Sequence, residues 1–196
     1  MKIPAAVLVL ASSSPYRRAL LERLRLPFEV VTPDVDEKVL PGESPRETAL
    51  RLARTKAEAG AIGRVAALVI GSDQVASLDG APVGKPGNRH AALAQLRTMR
   101  GRVVEFHTAV GLFDGSSGLM QLENVPTIVQ FRAFTDEQAE HYLDIDQPYD
   151  CAGSAKIEAM GIALVERVES ADPTALIGLP LIALVTMLKR AGIDVP

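Results

Sequence analysis

A short apolar run at residues 7–10 leads straight into Ala11-Ser12-Ser13-Ser14-Pro15-Tyr16-Arg17-Arg18, and no other stretch limits the fold as tightly. The apolar run reads as a strand buried in a parallel or mixed sheet. Pro15 suits the first position of a helix, where its missing N–H costs nothing, and Ser14 is a good N-cap before it. The spacing therefore predicts a strand, a polar turn and a helix with Arg17 and Arg18 in its first turn. Cations there oppose the helix dipole unless an anion sits among them. The hydroxyls of Ser12 and Ser14, free amide N–H groups and the guanidinium forks make a plausible phosphate cradle. Solvated arginines on an ordinary strand-turn-helix satisfy the same pattern.

The net charge of −3 gives no general attraction to nucleic acid or anionic membrane, so a phosphate site must be a local concentration of Lys and Arg. Cys151 is the single cysteine, which excludes an internal disulfide, disfavours a structural zinc site and fits a reducing, cytoplasmic setting. The first residues carry only Lys2 and no long apolar core, unlike a signal peptide, and no run approaches the roughly 18 apolar residues of a membrane span.

Along the chain, residues 15–25 form the first helix, with Tyr16 near its Leu20/Leu21/Leu24 stripe as a core-edge tyrosine. Residues 28–31 read as a second strand ending in an acidic loop that contains Asp34, Asp36 and Glu37, ordinarily solvated. Ser44-Pro45-Arg46-Glu47 is a capping box, and the helix after it buries Ala49, Leu52 and Ala53. Lys56 shares that face, so it either snorkels at the core edge or reaches into a cleft. Residues 68–70 form a strand, and Asp73 is expected just beyond its end, where open α/β sheets place their chemistry; a turn aspartate fits as well. Asp79-Gly80 is a tight turn, after which Val83-Gly84-Lys85-Pro86-Gly87 presents Lys85. Longer strands are expected at about 103–113 and 125–133, a short buried strand at 162–165, and a last helix at 181–191. That helix is apolar nearly all round, so it should be central or lie in an interface. His107 has no second His or Cys at ligand spacing and reads as a structural or rim residue. The whole, residues 1–196, is one α/β domain with two lobes around a cleft.

No Walker A loop, Gly-x-Gly-x-x-Gly motif or Gly-x-Ser-x-Gly elbow is present, which removes support for P-loop, Rossmann and α/β-hydrolase chemistry. What remains are carboxylates (Glu37, Asp73) and cations (Arg17, Arg18, Lys56, Lys85) at strand ends and turns. Together they suit nucleoside triphosphate hydrolysis, with oxygens for a divalent metal or an activated water and cations for phosphate charge.

Ser-x-Ser-Pro-x-Arg-Arg resembles the motif of the Maf family of nucleotide pyrophosphatases, and Val-Asp-Glu at 35–37 is similar to its next motif. Gly-Ser-Asp-Gln-Val at 71–75, Cys-Ala-Gly-Ser-x-Lys-x-Glu at 151–158 and Asp-Pro-Thr-Ala-Leu-Ile-Gly-Leu-Pro at 172–180 look like its 7-methyl-GTP branch. The resemblance implies a mixed twisted sheet with flanking helices, of the inosine triphosphate pyrophosphatase kind. It implies Asp73 as proton acceptor, and Tyr16, Gln74 and Glu158 as base-specificity residues. Ser12, Ser14, Arg17, Lys56 and Lys85 become phosphate ligands, while Glu37 and Asp73 hold Mg²⁺ or Mn²⁺. A homodimer is implied too. Tyr16 stands where that branch often has Trp. The alternatives are the dTTP/UTP branch and a nucleotide-sensing regulator of cell division without turnover.

Overall fold

The computed structural model describes residues 7–195. Lys2 and its neighbours, which bear on the signal-peptide expectation, lie outside them. β1 (Val7–Ala11) pairs in parallel with β2 (Phe28–Val31) on one side and with β3 (Ala67–Leu78) on the other. Its last four residues are buried, as expected of a strand covered on both faces. Beyond β3 the sheet becomes antiparallel through β5 (Val103–Asp114), β6 (Met120–Phe131) and β7 (Val165–Ser170), while β4 (Ala81–Val83) folds back along β3. The result is an open seven-stranded mixed sheet.

Among the described residues five helices flank it: α1 (Pro15–Glu22), α2 (Pro45–Gly60), α3 (Arg89–Met99), α4 (Asp136–Asp146) and α5 (Leu181–Arg190). The α2 side is built from small residues, with Ala49 and Ala53 packed on Ala109. Gly71 of β3 permits this, since a Cβ there would stand 2.1 Å from the carbonyl oxygen of Ala53. The helix lies flush on the strand only because nothing projects at that point.

The opposite face carries the two lobes. Leu8, Leu10, Leu68, Ile70 and Val110 form one apolar cluster with α1 and α5. Ala76, Val104, Phe106, Val129 and Phe131 form the other with α3 and α4. Between them, on the same face, runs a polar band of Ser72, Gln74, Thr108 and Thr127. Ser72, Thr108 and Thr127 are buried, so each needs a partner. Thr108 receives the Gln74 amide and Thr127 bonds Ser170. The two lobes are thus halves of one sheet face.

Several expectations are corrected. Asp73 is not beyond a strand end but in the middle of β3, because β5 goes on pairing with that strand from Leu68 to Ser77 after β1 has stopped. Residues 162–165 are not a buried strand. Met160–Leu164 is a 3₁₀ turn with Ile162 exposed, and the strand starts at Val165, where the free edge of β6 offers partners. β6 itself begins at Met120, since its polar start still pairs with β5 as far as Phe113. α1 ends at Glu22, and α5 buries one side while Ile182 faces solvent. No helix among the described residues is long and apolar enough to cross a membrane.

Candidate active site

β1 ends at Ala11 on the serine turn, and β4 meets β3 only from Ala76 onward. The edge of β3 in between has no strand beside it. A cleft of about 550 Å³ opens at this gap, and every residue given a site role above lines it. The sheet's change from parallel to antiparallel pairing therefore creates the opening, a variant of the crevice at a topological switch point.

Asp73 lies on the α2 side of β3, where the flush helix brings Lys56 over it. Lys56 Nζ is 2.7 Å from Asp73 Oδ1 and 2.6 Å from Glu37 Oε1. Lys56 is only 6% exposed and Asp73 7%, while Glu37 reaches in from its loop with about half its side chain in solvent. Burial pulls the Glu37 carboxyl upward, but the Lys56 hydrogen bond and the charges of Lys56, Lys85 and Arg17 outweigh this and hold it below the usual range. An ammonium has three N–H bonds, so Lys56 can meet a phosphate only as a third partner.

On the other side of Asp73, the local structure of α1 follows from its cap. The Ser14 hydroxyl accepts from the Arg17 amide at 3.4 Å, and the Ser12 hydroxyl accepts from the Ser14 amide at 3.2 Å. Arg17 Nε donates to the Gly178 carbonyl at 2.9 Å and Nη1 to Ser12 at 3.4 Å, which leaves Nη2 without a hydrogen-bond partner among the described residues. Burial lowers the Arg17 pKa, opposed by the charges of Asp73 and Glu37. Arg18, by contrast, turns outward to an exposed pair with Glu22. Lys85 is exposed on its loop and acts on the cleft through its charge.

Tyr16 and Glu158 stand in the same cleft, Tyr16 half-buried and Glu158 exposed. Lys156 Nζ sits 5.7 Å from the Tyr16 ring centroid, so one face of that ring already accepts a cation. Burial, then the charges of Cys151 and Asp150, push the phenol upward. Burial and Asp150 push the Cys151 thiol to about 12, which keeps it protonated and out of nucleophilic chemistry. Gln74 spends its amide N–H groups on Thr108 Oγ1 and the carbonyls of Ala175 and Leu176. Its remaining oxygen is what it can offer a base.

A divalent metal fits the donor set. Glu37 and Asp73 already converge on one cationic centre with one oxygen each, and Mg²⁺ commonly takes one or two carboxylates together with substrate phosphates and water.

The sequence assigns no role to two further supports. Arg51 on α2 clamps Glu43 (2.6 and 2.8 Å) and donates to the Lys38 carbonyl at 2.9 Å, holding the loop that delivers Glu37. The Arg51 hydrogen bond holds the Glu43 carboxyl down at about 2. Because the folded pKa is depressed, this clamp contributes fully above the ordinary Glu value and is lost as pH falls towards 2. Amide exchange in the 37–43 loop, corrected for intrinsic rate, should therefore rise between about pH 4.5 and pH 2. Glu43→Gln should abolish that rise; an unchanged profile in the variant would free the loop from the clamp. The second support is the Asp172–Pro180 loop, present in the sequence only as a motif without a role.

The family model described as Maf-like protein matches residues 7–191. The chain is 65% identical over 183 residues to the 7-methyl-GTP pyrophosphatase of Ralstonia nicotianae, covering 93% of this chain and 94% of that one. It is 60% identical over 185 residues to the enzyme of the same name from Cupriavidus metallidurans, covering 94% and 93%. It is also 60% identical over 188 residues to that of Thiobacillus denitrificans, covering 96% and 94%. With the family match running from β1 to the end of α5, and so across every element that lines the cleft, the chain belongs to the Maf family.

Proposed function

We propose that the chain is a nucleoside triphosphate pyrophosphatase whose preferred substrate is 7-methyl-GTP. The observation that carries this is a cleft holding the Glu37–Lys56–Asp73 cluster, Arg17 with an Nη2 unbonded among the described residues, and the Tyr16/Glu158 pair. Water attacks the α-phosphorus, the α–β anhydride breaks, and nucleoside monophosphate and pyrophosphate leave. Asp73 takes the proton of the attacking water at a carboxylate oxygen, and Lys56 keeps that side chain in place. A divalent metal, Mg²⁺ or Mn²⁺, held by Glu37 and Asp73 would neutralise phosphate charge and lower the pKa of a bound water. Arg17 and Lys85 offset the negative charge that builds on the leaving pyrophosphate, with Ser12 and Ser14 completing the turn around it. By resemblance to the family the working unit is a homodimer, which sedimentation equilibrium checks.

Methylation at N7 makes guanine a cationic ring, which an aromatic face holds by about 0.5–2 kcal/mol more than a neutral one. Glu158 can accept from the N1–H and N2–H edge of that ring, with charge assistance. Glu158→Gln should then cost about 1–3 kcal/mol in kcat/KM on 7-methyl-GTP, because an amide hydrogen would face a base donor. Tyr16→Ala should hurt 7-methyl-GTP more than GTP. The measurement is kcat/KM for 7-methyl-GTP, GTP, dTTP and UTP, scored as pyrophosphate released. Preference of the wild type for dTTP or UTP would move it to the other branch, and binding without release would make it a sensor.

A further inference from the structure

Asp172 is 2% exposed and lies just past β7, outside the contacts that hold the acidic cluster. Its Oδ1 accepts from the Thr174 amide at 2.9 Å and from the Thr174 hydroxyl at 2.7 Å, and its Oδ2 accepts from the Ile182 amide at 2.7 Å. Thr174 Oγ1 in turn accepts from the Leu181 amide at 2.8 Å. These are the orphan N–H groups of the first turn of α5, whose own N-cap, Pro180, supplies no side-chain bond. One buried carboxylate thereby ties together both ends of the segment 172–182.

Between the tied ends, the loop directs its carbonyls into the polar band and the cleft. Gly178 O accepts from Arg17 Nε at 2.9 Å and lies 2.9 Å from Ser72 Oγ. The carbonyls of Ala175 and Leu176 take the Gln74 amide at 3.1 and 3.0 Å. Gly178 has φ of +123°, and a Cβ there would stand 3.6 Å from Arg17 Nε, so the guanidinium lies against bare backbone. A guanidinium is planar, and fixing Nε fixes the direction in which Nη2 points.

We propose that Asp172 is a positioning residue that, through the Gly178 carbonyl, sets the plane of the Arg17 guanidinium towards the substrate's phosphates. This rests on the reading of Arg17 as a phosphate ligand in a pyrophosphatase. Asp172→Asn replaces an acceptor by a donor opposite the Ile182 or Thr174 amide, so the loop shifts and the anchor of Arg17 moves with it. Asp172 does not touch Arg17, and the same loop also holds Gln74 through the Ala175 and Leu176 carbonyls, so only the part of its effect that disappears with Arg17 belongs to this route.

The test is a double-mutant cycle on kcat/KM for 7-methyl-GTP with wild type, Asp172→Asn, Arg17→Ala and the double variant. Asp172→Asn should lower kcat/KM about tenfold in the wild-type background and by less than about twofold once Arg17 is alanine. Equal losses in both backgrounds would overturn the proposal, since a merely structural residue costs the same with or without Arg17. If Asp172→Asn does not fold, Thr174→Val enters the same cycle, with the same expected and contrary outcomes. If wild type releases no pyrophosphate from any nucleotide, the pyrophosphatase reading itself fails. The brace is then judged by exchange of the Gly178 amide, which is bonded to Ala175 O at 2.9 Å. Faster exchange in Asp172→Asn supports the brace, and unchanged exchange overturns it.

Discussion

Asp73→Asn should leave a folded protein that releases pyrophosphate about 10²–10⁴-fold more slowly than wild type. The substitution is nearly isosteric, and an amide oxygen can still accept from Lys56 Nζ, which lies 2.7 Å from Asp73 Oδ1. Ten register pairs between β3 and β5 hold the backbone at this position, so the strand does not depend on the carboxylate. What disappears is the proton acceptor and half of the paired oxygen ligands. The assay is pyrophosphate release with saturating Mg²⁺, run beside circular dichroism. A folded variant within about threefold of wild type would remove Asp73 from the chemistry, since a general base typically contributes about 10²–10⁴-fold.

Cap chemistry explains which elements were legible. Ser14 before Pro15 and the Ser44/Glu47 box both start helices where the sequence places them, because a cap is satisfied within three residues. Strand extents were harder. The 71–75 stretch of Gly-Ser-Asp-Gln-Val looks like a turn, yet it is strand, since its hydrogen bonds come from β5, more than thirty residues away. Pairing across such distances leaves no mark on local composition. Residues 162–165 misled in the other direction: four apolar residues suggested burial, but two of them, Ile162 and Ala163, face solvent in a 3₁₀ turn.

The site shows the same division. Each candidate alone has an ordinary structural reading, such as a solvated loop for Glu37, a core-edge lysine for Lys56 or a turn for Asp73, and only in combination do they point to phosphate chemistry. Their grouping in space was not readable. Asp73 and Gln74 are neighbours in sequence but point to opposite faces of β3, one to Lys56 and the other to the carbonyls of the 175–176 loop. Only the gap between β1 and β4 lets a single cleft reach both.

Lys56→Met should destabilise the metal-free protein by about 3 kcal/mol, near the lower end of what breaking a buried pair costs. Of the two readings open to Lys56, a core-edge position would make its loss mild, whereas the structure buries it at the cleft between two carboxylates. Met retains the length and apolar stem, so the effect isolates the charge. Without the ammonium, Asp73 keeps a buried carboxylate with no counter-charge, while Glu37 can swing into solvent and so limits the damage. A divalent cation can take the vacated place between the same oxygens. Mg²⁺ should therefore raise the thermal midpoint of Lys56→Met more than that of wild type, by mass action on the folded state. Equal Mg²⁺ shifts in the two proteins would place the metal elsewhere than on Glu37 and Asp73. An unchanged midpoint in the absence of metal would mean that the ammonium contributes no more than a surface ion pair, and the Glu37–Lys56–Asp73 cluster would lose its role in organising the cleft.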